Sequence, residues 1–151
     1  MAMGIALVTG ATSGIGEEFC WQLAAAHHDL VLVARREEKL RKLAEDLRQI
    51  AGVKAEVIVA DLGVAGDVER VAQRLSDGQS PVGLLVNNAG FALGCSFIDN
   101  TIEAEENALD VMVRAPMVLS YAALNAMRAR GRGAIINVSS VASETGAGTY
   151  S

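Results

Sequence analysis

Residues Thr9-Gly10-Ala11-Thr12-Ser13-Gly14-Ile15-Gly16 put three glycines and three hydroxyls between an apolar run and an amphipathic one. The spacing is G-x-x-x-G-x-G. Gly10 permits a tight turn, Gly14 leaves no side chain where a diphosphate must approach, and Gly16 lets the next helix pack on a sheet. A helix that starts here offers free N–H groups and the positive end of its dipole to an anion. No Gly-Lys-Ser/Thr follows, so this is not the phosphate loop of nucleoside triphosphatases. A glycine cluster alone matches many turns; the strand before it and the helix after it make the anion-binding reading specific.

Further polar groups follow the other apolar runs. After the second come Ala34, Arg35 and Arg36, with no acid before Glu37. A dinucleotide site carries an acid there to hold a ribose 2′-hydroxyl, or an arginine to hold a 2′-phosphate. A guanidinium clamps phosphate through paired donors. The competing reading is a solvated charge run, since Arg35–Lys42 is charged throughout apart from Leu40. Cations at a helix start are disfavoured by the dipole, so another reason for them is expected. The expected cofactor is therefore NADP(H) rather than NAD(H). Asp61 and Leu62 follow the third run; the carboxylate can accept from an adenine amino group or cap a helix. Asn87, Asn88, Ala89 and Gly90 follow the fourth, and their amides can tie neighbouring strands together or touch a ribose. Ser139 and Ser140 follow the fifth.

The elements that must position these residues alternate regularly. Five short runs rich in Val, Ile and Leu lie near Ile5–Thr9, Leu30–Ala34, Val57–Ala60, Leu84–Asn87 and Ala134–Val138. They do not alternate with polar residues, as expected of strands buried on both faces. Between them, Ile15, Phe19, Leu23 and Ala26 recur at helical spacing, as do Leu40, Leu43, Leu47 and Ile50, and Val68, Val71 and Leu75. A longer helix is expected from about 101 to 130, with a kink at Pro116. The pattern predicts an α/β fold with parallel strands joined by helical crossovers. Glycine, charge and hydroxyl gather at the carboxyl ends of the strands, where such sheets bind ligands.

Composition bounds the rest. The 151 residues suggest one domain, and the net charge of −5 gives no global field to attract nucleic acid. The longest apolar stretch, Ala115–Met127, is too short to span a bilayer. Cys20 and Cys95 belong to no metal-binding or redox pattern, and read as reduced cysteines of a cytoplasmic protein; no metal is expected.

Taken together, Thr9–Gly16, Asp61–Leu62, Asn87–Gly90, and Asn137–Ser140 followed by Tyr150 resemble the short-chain dehydrogenase/reductase family, in the family's order and along essentially the whole chain. The resemblance implies a Rossmann-type doubly wound sheet of order 3-2-1-4-5. It also implies hydride transfer between a nicotinamide and a carbonyl or alcohol. Ser140 matches the serine that orients the substrate oxygen, and Tyr150 the tyrosine that transfers the proton. Ser139 and Ser143 are the neighbours with which Ser140 competes for that role, because Ser140 and Tyr150 are only ten positions apart. The cofactor residues carried over are Gly10, Thr12, Ser13, Gly14, Ile15, Gly16, Arg35, Arg36, Asp61, Leu62, Asn87, Asn88, Ala89 and Gly90. The family's lysine stands four residues after the tyrosine, and the sequence ends at Ser151. Residues 1–151 are therefore expected to be a C-terminally incomplete cofactor-binding domain, inactive alone, and to form homo-oligomers through the helix at 101–130. Met112 stands where the family typically has an asparagine, and a thioether cannot replace an amide in a proton relay. Met112 keeps open a non-catalytic, dinucleotide-binding or regulatory reading. A fragment that depends on assembly is the other alternative.

Overall fold

A computed structural model describes residues 4–140. Strands β1 (Ile5–Thr9), β2 (Asp29–Ala34), β3 (Ala55–Val59), β4 (Val82–Asn87) and β5 (Ala134–Asn137) alternate with helices α1 (Gly14–Ala25), α2 (Glu37–Ala51), α3 (Ala65–Leu75), α4 (Ile102–Leu109) and α5 (Ala115–Arg130). All pairings are parallel, and the strand order is β3-β2-β1-β4-β5. This is the doubly wound order expected from the sequence.

The unbroken apolar runs have a simple cause. Successive side chains of a strand point to opposite faces, and here both faces are covered. Ala6, Val8, Leu30 and Leu32 pack with Cys20 and Ala24 of α1 and Leu40, Leu43 and Leu47 of α2. Leu7, Val31, Val33 and Leu85 pack with Val68, Val71 and Leu75 of α3 and Leu119, Ala123 and Met127 of α5.

Two helices depart from the expected pattern. The buried stripe of α1 is Gly16, Cys20 and Ala24, one residue on from the larger apolar set, and Ile15 is 60% exposed. Close approach of α1 to the sheet selects small residues for the contact line, and Phe19 and Leu23 flank it half-buried. The long helix is not one α-helix with a kink at Pro116. A π-turn at Asp110–Arg114 separates α4 from α5. Pro116, in the first turn of α5, has no N–H for the carbonyl four residues back, at Met112, and its ring crowds that carbonyl. A widened turn just before the proline accommodates both effects.

The C-terminus of α1 carries backbone strain. His27 has φ +62°, the left-handed region that favours glycine. Its N–H donates to Ala24 O at 2.9 Å and the His28 N–H to Leu23 O at 3.0 Å, the paired bonds of a Schellman ending. Among the described residues, no helix is long and apolar enough to cross a membrane.

Candidate functional site

The carboxyl ends of the strands share one edge of the sheet, and a cleft of about 240 Å³ opens there. Gly10, Thr12 and Ser13 line it from the β1–α1 turn, Ala34, Arg35 and Arg36 from the end of β2, and Ala60, Asp61 and Leu62 from beyond β3. Ala89, Gly90 and Phe91 close it after β4, with Val111 of the π-turn.

The three glycines of the first turn do different work. Gly10 has φ +67°, and a Cβ there would lie 2.8 Å from Asn88 Nδ2 and 2.9 Å from Ala89 Cα. It therefore serves both a backbone conformation and a close approach of the β1 and β4 ends. Gly14 has φ +51° and open space where its Cβ would stand. A Cβ on Gly16 would overlap the Gly10 carbonyl and the Asn88 amide, so α1 packs against its own entry turn as well as the sheet. Ser13 occupies the N-cap of α1 without its side chain capping the helix.

The hub of the edge is Thr9, which is 2% exposed. Its hydroxyl accepts from the Asn88 N–H at 3.0 Å and the Ala89 N–H at 3.1 Å, and donates to Val86 O at 3.4 Å. Asn88 returns its side-chain amide to Thr9 O at 3.0 Å and Gly10 O at 3.4 Å. Asn87 Nδ2 donates to Asn137 Oδ1 at 2.8 Å and Ser120 Oγ at 3.0 Å, joining β4 to β5 and α5. Of the two possibilities for these asparagines, the structure displays strand-tying contacts for both. Thr9, Ser120 and Asn137 were not among the sequence-derived site residues. A hydroxyl ending an otherwise apolar strand was the available signal for Thr9; nothing local pointed to Ser120.

The arginines after β2 diverge. Arg36 Nη2 donates to Thr12 O at 2.9 Å and to Thr12 Oγ1 at 3.3 Å, across the cleft. Arg35 Nη1 lies 4.0 Å from Asp61 Oδ2, with 63% of its side chain exposed. Asp61 is not the N-cap of α3, which is Val64. Its Oδ1 instead accepts from the Gly63 N–H at 2.9 Å, and its own N–H donates to Asp67 Oδ2 at 2.7 Å. The helix starts three residues later than a cap at Asp61 would place it, because Asp61 folds a local turn on Gly63. Asp67, in the first turn of α3, has its carboxyl held below the ordinary 3.8 by the Arg70 guanidinium and then by the Asp61 N–H.

Leu62 is buried beneath the cleft, and Ile15 stands exposed at the start of α1. Met112 sits in the π-turn with its sulfur beside Gly90, 3.6 Å from where a Cβ of Gly90 would be. Ser140 is exposed at the same edge, three residues beyond β5. Tyr150 and Ser143 lie outside the described residues. Cys20 is no nucleophile: burial, then the Glu17 carboxylate, push its thiol up to about 12.

This edge has the layout of a dinucleotide site: a glycine-rich turn into a helix on the first strand, arginines on the second, and a cleft between them. A family model for the short chain dehydrogenase matches residues 4–151. The chain belongs to the short-chain dehydrogenase family. Very-long-chain 3-oxoacyl-CoA reductase of Laccaria bicolor is 37% identical over 139 residues, covering 91% of this chain and 41% of that protein. L-xylulose reductase of Mus musculus is 43% identical over 140 residues, 92% of this chain and 54% of the mouse protein. The short-chain dehydrogenase of Sphingobium yanoikuyae, solved in complex with NADPH, superposes with a TM-score of 0.92 at 36% identity, over 96% of this chain and 56% of that one. The chain thus spans about half the length of these relatives.

Proposed function

We propose that residues 1–151 form the cofactor-binding part of an NADP(H)-dependent oxidoreductase acting between a carbonyl and an alcohol. The observation that carries this reading is one cleft lined both by the glycine-rich turn at Gly10, Thr12 and Ser13, which leads into α1, and by Arg35 with its exposed guanidinium. The residues fit a dinucleotide. The start of α1 supplies N–H donors and a positive dipole end for a diphosphate, and Gly14 leaves room for it. Arg35 supplies donors for a 2′-phosphate, and no acid stands at the end of β2 to repel one. Asp61 is the acceptor for the adenine amino group, and Leu62 packs beneath the base. The NADPH bound to the Sphingobium relative favours the same choice.

When bound, the nicotinamide ring supplies or takes up the hydride. Ser140 orients the substrate oxygen through its hydroxyl, and Tyr150 gives or receives the proton at that oxygen. The Thr9–Asn88–Ala89 network holds the β4 end, and with it Gly90, at a fixed distance from the turn after β1. Turnover requires a cation beside Tyr150. The exposed apolar stripe Val113, Met117, Tyr121 and Leu124 on the outer side of the π-turn and α5 is the surface for pairing with a second copy. A second reading, cofactor binding without catalysis, is favoured by Met112 in the position of the family's asparagine.

The test is calorimetric titration of the protein with NADPH and NADH, followed by assay against carbonyl substrates. Tighter binding of NADPH and turnover support the proposal. Binding of NADPH without turnover supports the cofactor assignment alone, and binding of neither cofactor refutes both readings.

A further inference from the structure

We propose that Arg36 is a positioning residue: its guanidinium straps the turn after β2 to the turn after β1 and so sets the shape of the diphosphate cradle, leaving the 2′-phosphate to Arg35. This assignment rests on the dinucleotide reading of the cleft.

The contact itself is specific. Arg36 Nη2 reaches both the carbonyl and the hydroxyl of Thr12, at 2.9 and 3.3 Å. Thr12 is 8% exposed, so the bonds are partly shielded from competing water. The two residues belong to different turns and line the same cleft.

The turn needs such a tether. It carries glycines at φ +67° and +51°, Gly10 and Gly14, on either side of Thr12. Glycine populates both signs of φ readily, so a turn hinged on two of them is intrinsically loose. Other bonds fix its ends: the Ala11 N–H donates to Val33 O at 3.2 Å, and the Gly16 N–H to Ser13 O at 3.2 Å. Ser13 adds no side-chain cap. Between those ends, the bond to Thr12 O orients the Thr12–Ser13 peptide plane, and with it the Ser13 N–H at the entry to α1.

The anchor at the other end is firm. Arg36 is the N-cap of α2, and its carbonyl accepts from the Leu40 N–H at 3.0 Å. Its backbone is extended, at φ −84° and ψ 92°, so adjacent side chains diverge. Arg36 crosses to Thr12 while Arg35 turns to the Asp61 side of the rim. A guanidinium already bonded to Thr12 has fewer donors left for a phosphate, whereas Arg35 is largely exposed.

Arg36→Ala and Arg36→Lys would be titrated with NADPH and with NADH, and amide hydrogen exchange over residues 11–16 measured without ligand. A melting curve of each ligand-free variant confirms that it is folded. Arg36→Ala should weaken both cofactors by the same factor, roughly tenfold for a lost charge-assisted bond. It should also speed exchange across the turn by a similar factor. Arg36→Lys, which keeps one donor, should recover part of both. A loss confined to NADPH would make Arg36 a phosphate ligand and overturn the proposal. Unchanged exchange in Arg36→Ala would overturn it too. If the unsubstituted protein binds neither cofactor, the dinucleotide reading fails, while the exchange measurement still decides whether the strap exists.

Discussion

Replacing Thr9 with Val removes one hydroxyl and keeps the shape of the side chain. The structure makes that hydroxyl the shared acceptor of the Asn88 and Ala89 N–H groups and a donor to Val86 O. Thr9 is 2% exposed, so little water can replace it. Stranding a buried donor costs about 1–3 kcal/mol, and part of that is recovered where the backbone can shift. Two donors and one lost donated bond place Thr9→Val at about 3 kcal/mol of lost stability. Thr9→Ser is the control. It keeps the hydroxyl and deletes one methyl group, for a loss of about 1 kcal/mol. Urea denaturation of both variants, at unchanged m-value, reads the difference directly. Because Ala89 and Gly90 line the cleft, cofactor affinity should fall in Thr9→Val beyond the fall in Thr9→Ser. The hydroxyl hub is refuted if Thr9→Val is as stable as Thr9→Ser, since packing alone would then explain the threonine.

Other expectations follow from single features. His27→Gly should raise stability by about 0.5–1 kcal/mol, because glycine relieves the left-handed backbone at φ +62° at some cost in unfolded-chain entropy; thermal melting checks it. Met112→Asn, in a form of the protein that shows turnover, should raise that turnover and leave NADPH affinity unchanged; a fall in turnover means the π-turn is packed around the thioether. Tyr121→Glu should abolish self-association measured by light scattering over a range of concentrations, since it puts a charge in the middle of the exposed stripe on α5.

The sheet was legible because its signals are local and repeated. Runs such as Ile5–Val8 and Leu30–Ala34 are apolar on every side chain, and only strands covered on both faces require that. The turn at Gly10–Gly16 was legible because its chemistry is written in glycine, and Gly10 and Gly14 do adopt positive φ. The packing line of α1 was not legible. Large apolar residues attract attention, but close approach of backbones selected Gly16, Cys20 and Ala24. The cap reading of Asp61 failed because its partner is Gly63, two residues on, and the helix waits until Ala65. The π-turn escaped because Pro116 marks a disturbance without saying which side absorbs it. Thr9 and Ser120 were hidden because their partners, Asn88 and Asn87, are distant in sequence and adjacent only across the assembled sheet. The same holds for Arg36 and Thr12, which belong to different turns.

The central claim is that the cleft takes NADP(H) with Arg35 on the 2′-phosphate. Its most direct test is the ratio of NADPH to NADH affinity in the protein and in Arg35→Asp, by calorimetric titration. Removing a charge-assisted contact and adding a like charge should weaken NADPH by at least roughly tenfold. Over the same change NADH should hold steady or bind more tightly, because an aspartate there can accept from a free 2′-hydroxyl. The ratio should therefore invert. A ratio that is the same before and after the substitution would remove Arg35 from the site and contradict the account.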